Sequence, residues 1–270
     1  MRAHRLKRTL LIALVASTPW MAAHADELPG ATAYSRATDA LIAALGEPGK
    51  GPVPPASDPK VRAALASASM DAVFGHSAAQ TAELRTTMQL CTKASQIEVT
   101  YIFADAASLA AAHPNASPAD QQNAMVTLAN RNAETYQDVI VPMIDFGARC
   151  TARAMPLLTD FFLKLPADQR TPIRLGGLAQ ARNGLLNMMM GAIAMTQQQG
   201  LSETNRRRVL AAAVAAAPAF VPVLVLADRK KIVTAASAAH PLTAEDQASL
   251  TALIKAFSDD RCEGLCPIGT

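Results

Sequence analysis

A long apolar stretch runs from Val209 to Ala227 and reads VLAAAVAAAPAFVPVLVLA. Its nineteen residues include no charged or hydrogen-bonding side chain, and charged residues at 206–208 and 228–231 flank it. A helix that is apolar on every side has to be covered on every side, by other helices or by lipid. We expect protein to cover it, because Pro218, Pro222 and the many alanines make this stretch a poor bilayer span.

Helical spacing of apolar residues dominates the rest of the chain, and no segment sustains the two-residue alternation of a strand. Capping residues, glycines and prolines mark the ends of the periodic segments. These signals predict helices over residues 32–45, 59–75, 77–112, 119–165, 172–199, 202–240 and 244–257. Helix 119–165 should bend or break at Pro142, with Pro156 as a second candidate, and Pro218 and Pro222 should interrupt the helix that contains them. We therefore expect an all-α fold, a bundle of about seven helices around a central apolar helix.

The first 25 residues show the three-part pattern of a cleaved bacterial secretory signal. A basic start is followed by an apolar run over residues 9–17 and by the small-x-small triplet at 23–25. Removing this segment takes away four of the 25 basic residues and no acid, which leaves 21 Lys and Arg against 22 Asp and Glu. The mature chain lacks the basic excess that nucleic-acid binding requires. We expect an exported protein of the periplasm or the medium, with no nucleic-acid partner.

Composition divides the remaining chain into three parts. Residues 26–58 combine a short helix with a loop rich in proline and glycine. Residues 59–258 carry the strong helical pattern, and we expect them to form one bundle domain. Residues 259–270 form a tail with Cys262 and Cys266, four positions apart in the sequence CEGLC. Disulfides are the expected state of cysteines in an exported chain, so these two can close a small ring.

The other two cysteines, Cys91 and Cys150, lie on the apolar faces of predicted helices. A straight antiparallel hairpin that turns near residue 115 would place Cys91 opposite Ile140, about ten residues or 15 Å from Cys150. That separation is too large for a disulfide, so a bond between them would need a sharp break at Pro142. A bond from either cysteine to the tail is the alternative, and the pairing stays open.

Two carboxylates, Glu98 and Asp105, lie among apolar residues on the predicted helix 77–112. A buried carboxylate takes up a proton or finds a partner, because its charge is poorly solvated away from water. Arg182 lies in the middle of the apolar face of helix 172–199, and a guanidinium can bind a carboxylate through two hydrogen bonds. We expect Arg182 to meet Glu98 or Asp105, either as a structural ion pair or as part of a ligand-binding or catalytic site.

The other side of helix 172–199 carries three glycines at seven-residue spacing and two asparagines beside them: Gly177, Gly184 and Gly191, and Asn183 and Asn187. Each glycine costs about 1 kcal/mol relative to alanine in a helix, and it is tolerated where another backbone comes close. We expect this stripe to pack against the alanine-rich residues 209–217. The amides would then hydrogen-bond across the contact, or line a polar slot for a ligand.

Few residues in this sequence indicate a specific chemical activity. It contains no motif of nucleophilic catalysis, phosphate binding or dinucleotide binding, and nothing in it predicts a cofactor or a metal site. We therefore expect a protein that acts by binding an unidentified protein or small molecule, and catalysis is the less favoured reading. One alternative is a membrane-associated protein that contacts lipid through 209–227, with 203–231 inserted or interfacial. Another is an enzyme or cofactor carrier with a buried polar site around Glu98, Asp105 and Arg182.

Overall fold

A computed structural model describes residue 28 and residues 30–47, 49–76, 78–112 and 116–269. The predicted signal segment, 1–25, lies outside the described residues. Within them the chain forms eleven α-helices and two short 3-10 helices, with no strand. The all-α prediction is therefore confirmed for this part of the chain.

The helices follow one another, most of them with short connections. In chain order they are α1 (Ala31–Leu45), α2 (Pro59–Ser67), α3 (Met70–Phe74), α4 (Leu84–Ile102), α5 (Ala106–Ala112), α6 (Pro118–Thr135), α7 (Gln137–Lys164), α8 (Pro172–Met195), α9 (Glu203–Phe220), α10 (Leu226–Ala238) and α11 (Ala244–Phe257). The 3-10 helices are Thr81–Glu83 and Ala167–Gln169.

Side-chain caps at the starts of these helices account for much of the local agreement with the sequence. Asp58, Ser117, Thr171, Ser202 and Thr243 each accept a hydrogen bond from a backbone N–H of the first turn. The first N–H groups of a helix have no partner within the helix, so an oxygen on the preceding side chain satisfies them. Capping signals therefore located these five starts correctly.

The number of helices exceeds the expected seven because four of the predicted helices are divided, one of them 202–240, which separates into α9 and α10. The predicted helix 59–75 is interrupted before α3, which Ser69 caps. The predicted helix 77–112 starts only at Leu84 and is interrupted between α4 and α5, where Asp105 has a φ of 62°. The predicted helix 119–165 divides at Tyr136, whose φ and ψ of −110° and 23° are not helical.

Neither Pro142 nor Pro156 interrupts its helix, so a break at Pro142, one of the two outcomes expected there, does not occur. Both lie inside α7, and the break falls six residues before Pro142, at Tyr136. Each proline removes one N–H donor from the helix and crowds the preceding turn. Helices in proteins are stabilised mainly by packing of their apolar face, and α7 buries residues along its length, among them Ile140, Met143 and Met155. That burial outweighs the local cost of the prolines.

The centre of the molecule is the contact between α4 and α7, which lie alongside each other. The Cys91–Cys150 disulfide joins them, with a Cα–Cα distance of 5.5 Å. A straight hairpin would have kept these cysteines apart, but the chain between them is not a straight hairpin. The turn at 103–105 and the break at Tyr136 redirect the chain twice, so that α7 rather than α6 becomes the main partner of α4. The tail ring is also present, with Cys262 and Cys266 joined at a Cα–Cα distance of 5.2 Å.

The apolar stretch 209–227 lies in α9, in the turn that follows it and at the start of α10. Five of its larger side chains are buried, Val209, Leu210, Phe220, Val223 and Leu224, and α9 packs against α7, α8 and α11. Val214, Val221, Val225 and Leu226 are partly exposed. Small residues, Ala211 and Ala215, occupy its exposed side. In the described part of the chain, no helix has the length and hydropathy needed to cross a membrane.

Arg206, which precedes this stretch, is buried rather than solvated. Its Nε donates to Asp246 Oδ2 at 2.7 Å, and both side chains are almost inaccessible to solvent. The same carboxylate accepts from the backbone N–H groups of Leu242 and Thr243 at the start of α11. One buried ion pair thus joins α9 to the capping box of α11, a role that a basic flanking residue does not reveal in sequence.

The two disulfides differ in the length of chain they close, which gives a stability prediction. Cys91 and Cys150 are 59 positions apart, whereas Cys262 and Cys266 are four apart. The entropy of loop closure predicts that Cys91→Ala/Cys150→Ala lowers the free energy of unfolding by about 4 kcal/mol, and Cys262→Ala/Cys266→Ala by about 2 kcal/mol. Guanidinium denaturation of both variants and the oxidised wild type measures this. A larger loss in the tail variant would contradict the expected order.

Candidate functional site

A groove of about 430 Å³ opens between α8 on one side and α4, α6 and α7 on the other. Its apolar lining includes Val99 and Ile102 of α4, Ile144 of α7, and Met188 and Met195 of α8. Five polar residues also line it: Ser95, Glu98, Asn130, Asn187 and Gln198. An apolar concavity with a few polar groups is the usual form of a small-molecule site.

The glycine stripe of α8 forms part of this groove and is not a packing contact. Gly184 and Gly191 line the groove, and a Cβ built on Gly177, Gly184 or Gly191 would meet nothing within 4 Å. The expected contact with residues 209–217 was therefore wrong. α8 packs on α9 and α10 through its opposite face, so the glycines face open space. Their missing side chains widen the groove.

Glu98 is the titratable group of this site. It is partly buried in the groove wall, and loss of solvation raises the pKa of its carboxyl to about 7. No residue in the described part of the chain forms an ion pair or hydrogen bond with it. Its neighbours in the groove are apolar side chains, the hydroxyl of Ser95 and amide side chains. The carboxyl therefore changes charge near neutral pH without a counter-ion from the protein.

Amide groups mark the end of the groove where α6 and α8 approach each other. Gln198 Nε2 donates to Asn130 Oδ1 at 3.0 Å. The side-chain carbonyl oxygen of Gln198 is buried and has no hydrogen-bond partner among the described residues. Asn187, one turn from Gly184 and Gly191, is exposed on the α8 side. The groove thus offers hydrogen-bonding groups at its edge and an apolar interior.

Arg182 is buried, but its partners are backbone carbonyls rather than the carboxylates expected. Its Nε donates to Val223 O at 2.9 Å, and its Nη2 donates to Leu265 O at 2.5 Å and to Ile268 O at 2.9 Å. Burial lowers the pKa of its guanidinium. Carbonyls of an irregular turn and a tail lack helical N–H partners, and the guanidinium supplies them. The expectation that Arg182 meets Glu98 or Asp105 was wrong.

The five predicted binding residues fall in three places. Glu98 and Asn187 line the groove, whereas Arg182 and Asn183 line a second cavity of about 580 Å³ beside Asp228 and the tail disulfide. Asp105 lies in the turn between α4 and α5 and lines neither cavity. The structure does not bring Glu98, Asp105 and Arg182 into one polar site. Among the described residues, no group of three or more His, Cys, Asp or Glu side chains could hold a metal ion.

Arg229 is a buried cation that the sequence pattern placed among solvated flanking charges. Its side chain is 1% exposed and donates to the carbonyls of Leu224, Asp259 and Arg261. It thus repeats the role of Arg182 on the other side of the tail. No sequence signal distinguishes it from its neighbours Lys230 and Lys231, which are exposed.

Fold and site together define, for the described residues, an all-α bundle with an open, largely apolar groove whose lining contains a single carboxyl group. Comparison with protein families, curated proteins and solved structures found no match for this chain. The groove is therefore interpreted from its own geometry.

Replacing Glu98 by glutamine should change how stability depends on pH. The pKa of Glu98 is about 7 in the folded protein, against an ordinary value of 4.5. Between these two pH values the folded protein therefore keeps a proton on Glu98 that the unfolded chain has released. This contribution is fully present below the ordinary pKa and is lost as pH rises towards 7. Glutamine does not ionise, so Glu98→Gln does not lose stability in this way as the pH rises. Its free energy of unfolding, relative to that of the wild type, should increase by about 2 kcal/mol between pH 5 and pH 8.

Urea denaturation at both pH values measures this difference. Glu245→Gln is the matched control, because it makes the same chemical change at an exposed position of α11. Comparison of the two variants separates the effect of the groove position from that of the amide substitution. A pH-independent difference for Glu98→Gln would show that its carboxyl titrates normally.

Replacing Arg182 by methionine keeps the length of the side chain and removes three hydrogen bonds to carbonyls. Hydrogen bonds from a charged donor contribute about 1.5–3 kcal/mol each, so we expect a loss of at least about 3 kcal/mol in the free energy of unfolding. Arg85→Met, on the exposed side of α4, should change it by less than about 0.5 kcal/mol. Equal stabilities of the two variants in thermal and chemical denaturation would contradict this role.

Proposed function

We propose that this chain is an exported, soluble helical-bundle protein that acts by binding a small molecule with an apolar body in the groove of α4, α6, α7 and α8. The observation that carries the proposal is the open glycine face of α8, with Gly184 and Gly191 lining the groove. The groove volume of about 430 Å³ falls in the usual range of ligand pockets, about 300–1,000 Å³.

The local cost of this arrangement supports a binding role. Each exposed glycine in a helix lowers stability by about 1 kcal/mol relative to alanine. Close packing would offset that cost, but nothing lies within 4 Å of the added Cβ positions. Natural chains keep such local conflicts mainly at functional sites. Space for a ligand explains why glycine, rather than alanine, occupies Gly184 and Gly191.

Export is supported by the cysteines and by the N-terminal pattern. Two disulfides link all four cysteines of the chain, and structural disulfides persist in oxidising compartments. The basic, apolar and small-residue order of residues 1–25 is typical of a secretory signal. Membrane association has less support, because Val209, Leu210, Phe220, Val223 and Leu224 of this stretch are buried against protein and none of its large apolar side chains is fully exposed.

Filling the groove should abolish binding of an apolar probe. We expect the neutral fluorescent probe N-phenyl-1-naphthylamine to bind the wild-type protein, and we expect Gly184→Leu/Gly191→Leu to weaken binding at least ten-fold. Leucine is a good helix former, so the reason is occupied volume rather than loss of the helix. Fluorescence titration measures the affinity, and circular dichroism verifies that the variant is folded.

Gly177→Leu is the matched control, because Gly177 lies on the same helix with equally open surroundings but does not line the groove. Its affinity for the probe should equal that of the wild type. If the probe binds the double variant as tightly as the wild type, the ligand site lies elsewhere and the proposal fails.

A further inference from the structure

We propose that the ligand of this groove is an amphipathic organic cation, whose positive head lies at Glu98 while its apolar body lies along the walls from α4 and α8. This inference rests on the proposed function of the groove and adds the chemical class of its ligand. It follows from the charges, the polar groups and the apolar surfaces that the groove contains.

The groove carries one ionisable group and no protein cation to balance it. Among the described residues that line it, only Glu98 is ionisable, and α6, α7 and α8 contribute uncharged side chains. Of the cations on the helices around it, Lys93 is paired with Asp39 and Arg149 with Asp145, each at 2.6 Å. Arg131 of α6 is exposed and does not line the groove. A negative charge at Glu98 is therefore available to a ligand.

Partial burial strengthens the preference for a cation. A carboxylate that has lost much of its hydration gains more from an opposite charge than an exposed one does, because the local dielectric constant is lower. An anionic ligand would be repelled, and a neutral ligand would leave the carboxylate uncompensated. The groove therefore selects for positive charge.

The apolar walls of the groove indicate the chemistry of the rest of the ligand. Val99 and Ile102 of α4 face Met188 and Met195 of α8 across the groove. Methionine side chains are flexible and adapt to apolar groups of different shapes. No aromatic side chain lines the groove in the part of the chain that the structure describes. The charge of the ligand is thus recognised by the carboxylate and not by an aromatic cage.

Three ten-carbon probes that differ only in the head group test the inference. Decyltrimethylammonium, 1-decanol and decane-1-sulfonate are titrated at pH 8, below their micelle concentrations, as competitors of N-phenyl-1-naphthylamine. The ammonium compound should bind at least ten-fold more tightly than either of the others. Glu98→Gln should reduce its affinity about ten-fold without weakening that of decanol, whereas Glu245→Gln, with the same change in net charge, should alter neither.

Titration of the carboxyl adds a second readout. The quaternary ammonium keeps its charge at every pH, so any pH dependence of its binding comes from the protein. Since the pKa of Glu98 is raised to about 7, the affinity should rise about ten-fold from pH 6 to pH 8 in the wild type. It should be constant in Glu98→Gln.

The outcomes separate the two proposals. Equal affinities for the three head groups, or ammonium binding that survives Glu98→Gln, would overturn the cation assignment, while probe displacement that depends on Gly184 and Gly191 would still support an apolar binding groove. Absence of any competition in the wild type, together with failure of the naphthylamine probe to bind, would overturn both.

Discussion

The position of α8 depends on the hydrogen bonds that Arg182 donates to backbone carbonyls. A buried guanidinium has five N–H donors in a fixed plane, so it can bind several carbonyls only if they converge on it. Val223 belongs to the turn after α9, whereas Leu265 and Ile268 belong to the tail. One side chain therefore holds α8, the turn and the tail together. Since this attachment is on one side of α8, the opposite side remains open.

That one-sided attachment explains why a groove exists at all. A helix packed on both faces would have needed larger side chains at Gly184 and Gly191, or a closer neighbour. Instead α8 rests on α9 and α10 and leaves a space opposite α4, α6 and α7. The glycines and the partly buried Glu98 both lower stability locally, and both lie in this space. The proposed binding function gives a reason for both destabilising features to lie in this groove, whereas folding alone gives none.

Buried arginines take a similar part elsewhere in the molecule. Arg229 binds three carbonyls around the tail, and Arg206 binds Asp246 at the start of α11. Both flank the apolar stretch 209–227 in sequence, where charged residues suggest solvated ends. In the fold they connect the ends of α9 and α10 to segments far along the chain. The charges at these positions therefore determine where the helix ends dock.

The sequence alone determined the local features of this protein. The all-α class, the starts at Asp58, Ser117, Thr171, Ser202 and Thr243, and the ring of Cys262 and Cys266 all depend on interactions within a few residues. Such interactions are visible as short motifs because the chain itself places the groups together. The helical spacing also identified Glu98 as a carboxylate among apolar residues, and it lies in a largely apolar groove.

Only the tertiary structure decided which helices lie side by side. The Cys91–Cys150 bond, the carbonyl partners of Arg182 and the open space beside Gly184 depend on the angles between helices. The contact of α4 with α7, which the disulfide joins, follows the turn at Asp105 and the break at Tyr136, neither of which carries a glycine or proline signal. A small change in such a turn moves a distant helix end by many ångströms, so no local pattern could fix these contacts.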